Sequence, residues 1–447
     1  MMNIGLMARR FLTTVAIGAG VMMPVVAGAA PNEQYFPLIG WRTGPLTPLG
    51  VNVAAGWIDY MDLLNKRDGG INGVKLAWEE CETGYKVDRG VECYERLKNN
   101  GLTGASTFNP INTGVAYALL DRVATDKIPM VTIGMGRTDA TVGSVFPYVF
   151  PLGTNSLSTN TIKIIFIGQQ EGGMDKLKGK KIVNLHMDSA GGKETIPLLD
   201  AQAKKYGFEI THIAVTMPGS DQQSVWLEIR RVKPDWVILR EWGVAPAVAL
   251  KTAEKVGFPR DRIVGMFASG TEDDLIPAGA SAKGYYVVHP IPTGSHYSVN
   301  QEIKARLYSG GNRGNLEDQS RFGLVFYNMG VTYGVINTEA VRVAQKKFGN
   351  KPLTGEQVRW GLENINLDEK RLKELGVSGL VQPIKSSCSD HEGGGSAKVF
   401  QWDGTKLVQV SDWIHGDKAL IRPLIEASAA KYATEKGITP RDCSKEK

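Results

Sequence analysis

Long apolar runs, cysteine and clustered charge of one sign are all scarce in this 447-residue chain, and each shortage closes off a class of protein. Outside the uncharged stretch at residues 11–30 there is no run of the roughly 18 apolar residues that a membrane-spanning helix needs. Basic residues exceed acidic ones only by 52 to 46 and are spread along the chain, so the basic stripe of a nucleic-acid binder is missing and no such partner is expected. The four cysteines show neither C-x-x-C nor Cys/His spacing, which argues against a metal. There is no G-x-S-x-G elbow and no H-E-x-x-H, and Gly173 and Gly179-Lys180 are mis-spaced for a Walker A loop. His186, within a strand pattern, reads as a packed residue because no nucleophile motif accompanies it. Neither catalysis nor a cofactor is expected.

What is present begins with an address. Arg9 and Arg10 precede the uncharged run, which contains Pro24 and ends in Ala27-Gly28-Ala29, the pattern of a secretory signal peptide at residues 1–29 cleaved after Ala29. No cysteine follows that site, so no lipid anchor is expected; the first is Cys81. An even cysteine count in an exported chain favours disulfides. Cys81 with Cys93 closes a short loop, and Cys388 with Cys443 is the remaining pair.

The length exceeds what one core usually supports, so two domains are expected. The organising unit is residues 101–141: a small-residue strand ending at Phe108, a helix capped near Asn112 and Thr113, and a strand at residues 129–133 ending in Gly134-Met135-Gly136. In a parallel sheet, strand carboxyl ends and helix amino ends share one edge, where free N–H groups and the helix dipole attract polar or anionic groups. The same strand and helix alternation returns from residue 181 to residue 288. The fold class is therefore α/β with two Rossmann-like lobes of parallel sheet. Proline- and glycine-rich breaks mark crossovers at residues 151–155, 290–294 and 379–385. They divide the chain into lobe 1 (30–152 with 293–380), lobe 2 (153–292 with 381–425) and a C-terminal helix and tail (426–447). A hairpin turning at Asp403-Gly404 finishes the second lobe.

At this point the residues resemble a known family. Thr43-Gly44-Pro45-Leu46 with Gly50, Gly69-Gly70-Ile71-Asn72-Gly73, Asn109-Pro110 with Thr113-Gly114-Val115-Ala116, and Ile128-Pro129-Met130-Val131 follow in order. Pro147-Tyr148-Val149-Phe150, Lys233-Pro234-Asp235, Lys255-Val256-Gly257-Phe258 and Gln401-Trp402-Asp403-Gly404 continue the series. Together they resemble the periplasmic substrate-binding proteins of ABC importers, in the branched-chain amino acid family with the type I fold. The resemblance implies a monomeric periplasmic receptor with three hinge crossovers, closing over one small solute and delivering it to an ABC permease in the inner membrane. A sensor that signals through a membrane receptor with the same fold is the alternative.

The resemblance also places the ligand. Its carboxylate falls to Asn112 and Thr113 at a helix amino end, although both residues also suit capping of their own helix. The loop Gly134, Met135, Gly136 and Arg137 lets backbone approach the ligand and offers a guanidinium fork, which a rim salt bridge would otherwise claim. Leu49 in the first loop, Ser189 after one strand of the second lobe, and Ser269 in an echo of the Gly134 loop complete the edge. The sequence departs from the amino acid binders in two places: the usual aromatic is replaced by Ala190-Gly191-Gly192, and the acid that holds the ammonium aligns with Ala245. Arg240-Glu241-Trp242 supplies a base, an acid and an aromatic surface at one strand end. Two ligand readings stay open: an amino acid held through Glu241, or an aromatic or aliphatic carboxylate without an amine, held by Arg137 and Arg240.

Overall fold

Strand β1 (Glu33–Gly40) and strand β2 (Lys75–Glu82) pair in parallel on either side of a helical stretch; β1 is buried almost throughout, whereas β2 buries only Leu76 and Cys81. A computed structural model describes residues 32–445 except Pro45; the signal-peptide reading at residues 1–29 lies outside the described residues. The helix Thr47–Asp68 between these strands carries Pro48 in its first turn and ends on Gly69 at φ 68°, the left-handed stop that glycine adopts without strain. It packs Trp57, Met61 and Leu64 against the long helix Val325–Phe348. A Cβ on Gly330 would sit 2.1 Å from the Val53 carbonyl, so this crossing is close enough to exclude any side chain there.

Residues 102–108 differ from the expected strand. Gly101 and Gly104 adopt φ of 79° and 76°, which spends the first half of the segment on a turn. Only the end pairs: Ser106 N–H donates to the Tyr35 carbonyl (3.0 Å), and Phe108 bridges Met130. The segment thereby joins β1 to β3 (Met130–Thr132), which pairs in parallel with β4 (Val149–Pro151).

The second lobe is one sheet. Strands β5 (Lys181–Met187), β6 (Glu209–Val215), β7 (Trp236–Arg240), β8 (Ile263–Met266) and β9 (Tyr286–His289) are parallel in the order β6-β5-β7-β8-β9. Both faces are covered, with Val183 and Leu185 in one core and Ile182 in the other, which is why these strands read as apolar runs without clean alternation.

The chain crosses between lobes after β4, after β9 and a third time late in the sequence. A small pair, β10 (Asn366–Leu367) with β11 (Ile384–Lys385), still belongs to the first lobe, whose core holds Leu380, Val381 and Ile384. The third passage to β12 (Ser396–Trp402) therefore begins beyond Lys385, later than the glycine content at residues 379–385 suggests. Strand β12 adds antiparallel to β9 and carries β13 (Leu407–Gln409) and β14 (Ile414–His415). Glu392 ties two crossovers together: its Oε1 accepts from Asn155 N–H (3.0 Å) and Ser158 Oγ (2.5 Å).

The last helix starts at Lys418, earlier than the boundary at residue 426 read from the sequence, and it runs through Pro423, which leaves one i→i−4 hydrogen bond unmade. Ile421, Ile425, Ala429 and Tyr432 return it to the core of the first lobe. Both disulfides form, Cys81 with Cys93 and Cys388 with Cys443, at Cα separations of 5.7 and 5.5 Å. No helix among the described residues is long and apolar enough to cross a membrane.

Candidate functional site

The amino end of the helix Thr113–Asp126 is built by Asn112. Its backbone is extended, its Oδ1 accepts from Val115 N–H (3.2 Å), and its Nδ2 donates to the Tyr85 carbonyl (3.1 Å). Both ends of the amide are thus engaged in capping and in holding the neighbouring loop. Ile111 just before it sits at φ 42°, a left-handed value that costs a β-branched residue on the order of 1 kcal/mol or more. Thr113 and Tyr117, one turn apart, project from the same helix face into the space between the lobes. Gly134 and Gly136 adopt φ of 69° and 83°, and a Cβ on Gly134 would come 3.1 Å from the Phe267 ring of the second lobe.

From the second lobe, Ser189 caps a single helical turn, with Gly192 N–H donating to its Oγ (3.2 Å). The run Ala190-Gly191-Gly192 leaves room for Arg240, whose Nε donates to the Gly191 carbonyl (2.8 Å) and whose Nη2 meets Glu194 Oε2 (3.3 Å). Among the described residues Nη1 reaches only the Met266 sulfur, at 3.8 Å. Glu194 in turn accepts from Thr138 N–H (3.1 Å) and Thr138 Oγ1 (2.5 Å) of the first lobe. Burial lowers the Arg240 pKa, and the Glu194 carboxylate opposes that shift. Lys163, wholly buried and with no hydrogen-bond partner for its Nζ among the described residues, is pushed well below the usual lysine value by burial and then by the Arg240 charge.

These groups surround a cavity of about 320 Å³ between the lobes. Aromatic rings of Trp41, Tyr85, Trp242, Phe267 and Phe326 and the thioethers of Met135 and Met266 make most of its wall. Of the residues singled out in the sequence, Leu49, Asn112, Thr113, Gly134, Met135, Gly136, Ser189, Arg240 and Trp242 line it.

Three do not. Arg137 turns aside to Asp139, with Nε to Oδ1 at 2.8 Å and Nη2 to Oδ2 at 2.5 Å, and lies over the Tyr432 ring at 4.2 Å. Glu241 lies one residue past the end of β7, and the alternation carried on from the strand sends its side chain to the opposite face, into the core. Neither of its carboxylate oxygens has a partner of good hydrogen-bond geometry among the described residues; burial pushes its pKa up to about 8, and the neighbouring Gln222 amide opposes that shift. Ser269 is fully buried, and its Oγ donates to the Glu241 carbonyl (2.8 Å), joining the end of β7 to the loop after β8.

The cavity also contains residues that sequence reasoning passed over. Tyr117 was available from the spacing, one turn beyond Thr113. Glu194 was not, because it reaches the cleft only where a short helical turn of one lobe meets Thr138 of the other.

Comparison with known proteins gives this geometry a family. The periplasmic binding protein family model matches residues 33–406. A crystal structure described as an ABC transporter permease from the Pseudomonas fluorescens group is 48% identical and covers 93% of this chain and 100% of its own, with a TM-score of 0.89. A branched-chain amino acid ABC transporter from Thermus thermophilus with bound valine is 20% identical, covering 88% of this chain and 99% of its own, with a TM-score of 0.70. A solute-binding protein from R. palustris in complex with benzoate is 17% identical, covering 86% and 98%, with a TM-score of 0.62. No curated protein matches the sequence. The type I architecture of two α/β lobes joined by three crossovers, with its cleft between them, is thus that of the solute-binding proteins of ABC transporters, and the chain belongs to the periplasmic binding protein family.

Proposed function

We propose that this chain is exported to the periplasm, captures an apolar monocarboxylate, aromatic or branched aliphatic, between its lobes, and delivers it to an ABC permease. The observation that carries the ligand class is the state of the charges at the cleft. Arg240 is a buried guanidinium with Nη1 turned only toward a thioether, in a wall otherwise made of rings and aliphatic carbons. The open Nη1 of this guanidinium and the N–H groups at the helix start by Thr113 suit a carboxylate. The one acid in the cavity wall, Glu194, is already bonded to Thr138 and Arg240, so an ammonium finds no carboxylate free, and a buried ammonium without one is costly. The fold itself does not choose, since it holds valine in one relative and benzoate in another.

The test is calorimetry and thermal shift with benzoate, phenylacetate and 3-methylbutanoate against leucine and valine. The carboxylates are expected to raise the melting temperature and the amino acids to leave it unchanged. Arg240→Gln is expected to weaken carboxylate binding by roughly 100-fold, the scale of a lost charge-assisted pair. Stabilisation by leucine or valine alone would overturn the ligand class while leaving the family assignment intact.

A further inference from the structure

Beside the main cavity lies a second chamber of about 560 Å³, and Tyr117 and Glu194 line both. Its walls come from three sources. The first lobe supplies Arg137 to Asp139, the second lobe supplies Leu157, Pro197 and Leu198, and the last helix roofs it with Leu424, Ile425 and Ser428.

Apart from the hydroxyl of the shared Tyr117, the polar side of this chamber is already satisfied. Arg137 and Asp139 close on each other, Ser428 Oγ donates to Asp139 Oδ2 (2.8 Å), and Thr138 is held by Glu194. Groups that have found partners gain nothing from a polar ligand and lose by being desolvated. What remains for an occupant is apolar: Pro197 and Leu424 present open surface over a floor of Leu157, Leu198 and Ile425, which are themselves largely buried. The cation still turned toward a ligand lies in the main cavity, at Arg240 beside the shared residue Glu194.

Resting on the carboxylate reading above, we infer that the two chambers form one binding site for an elongated carboxylate. The head sits at Arg240 and Thr113, and an unbranched hydrocarbon tail passes Tyr117 into the lateral chamber. The class of ligand is then a medium-chain or arylalkyl carboxylate, of which short acids fill only the first part. Because the roof belongs to the last helix, that helix sets how long a tail is accepted.

The test uses the full chain and two ligand series, linear carboxylates from butanoate to dodecanoate and phenylalkanoates from phenylacetate to 6-phenylhexanoate. In the wild type, affinity is expected to tighten about three- to fourfold for each methylene that enters the lateral chamber, the transfer value for a buried CH₂. Leu424→Trp, which fills that chamber from the roof, is expected to abolish the gain for long acids and leave phenylacetate binding unchanged. Leu424→Ala is expected to shift the optimum to longer tails. Unchanged phenylacetate binding also reports a folded main site. If short acids bind but affinity does not rise with length, or rises identically in Leu424→Trp, the two-chamber site is wrong and the carboxylate reading survives. If no carboxylate of either series binds, both fall together.

Discussion

Glu194 of the second lobe accepts two hydrogen bonds from Thr138 of the first, one from the backbone N–H at 3.1 Å and one from Oγ1 at 2.5 Å. Its other carboxylate oxygen faces Arg240 at 3.3 Å. One side chain thus latches the lobes across the cleft and positions the cation that we assign to the ligand. Charge-assisted bonds to a carboxylate contribute about 1.5–3 kcal/mol each, enough to bias a two-lobe hinge by an order of magnitude in population.

Glu194→Ala is therefore expected to shift the ligand-free protein toward an open arrangement. Small-angle scattering would show a larger radius of gyration than wild type, and a saturating ligand would bring the two closer together. Thr138→Val, which keeps the backbone N–H donor and removes the hydroxyl, is expected to give a smaller shift in the same direction. Identical scattering of Glu194→Ala and wild type without ligand would show that the latch does not hold the lobes.

Two buried carboxyls of the second lobe give the protein a pH signature. Burial pushes Glu241 from 4.5 up to about 8 and Asp274 from 3.8 up to about 7. Between pH 4.5 and 8 the unfolded chain has released the Glu241 proton while the folded protein retains it, so the folded state loses stability as pH rises through that window. Glu241→Gln cannot ionise and is expected to flatten the slope of unfolding free energy against pH. By pH 8 it regains on the order of a few kcal/mol relative to wild type. Asp274 acts in the same direction, so some slope remains. Urea titrations at several pH values check this, and parallel curves for the two proteins would refute it.

The parallel lobes were legible because buried strands leave apolar runs and their helices leave three- and four-residue spacing, as at Trp57, Met61 and Leu64. The cap at Asn112 was legible because capping needs only neighbours in the chain. What escaped was which charges are free. Arg137 and Glu241 look like ligand groups in sequence, yet one finds a partner two residues away and the other is turned into the core by strand alternation. Glu194 escaped for the opposite reason, since its partners lie 56 residues upstream at Thr138 and 46 residues downstream at Arg240. The resemblance supplied the fold and the edge; the electrostatics of this cleft depend on tertiary contacts that no local pattern encodes.

The two disulfides are expected to differ in what they hold. Cys81 and Cys93 are 12 residues apart and join β2 to the helix that follows it, whereas Cys388 and Cys443 are 55 apart and pin the end of the chain to the third crossover. In the chain-entropy description the first contributes about 3 kcal/mol and the second about 4 kcal/mol. The difference in place matters more than the difference in size. The last helix packs on the first lobe through Ile421, Ile425 and Ala429, with Lys436 and Asp121 paired at 2.9 Å near its end. Replacing both Cys388 and Cys443 by serine is therefore expected to lower the unfolding free energy and to expose the segment beyond residue 436 to proteolysis before the lobes unfold. Removing Cys81 and Cys93 should lower stability without a separate early cleavage. Limited proteolysis followed by mass spectrometry, alongside urea unfolding, distinguishes the two. Early cleavage in neither double variant would mean that the packing of the last helix holds this segment without Cys443, and early cleavage in both would mean that the two disulfides do not differ in what they hold.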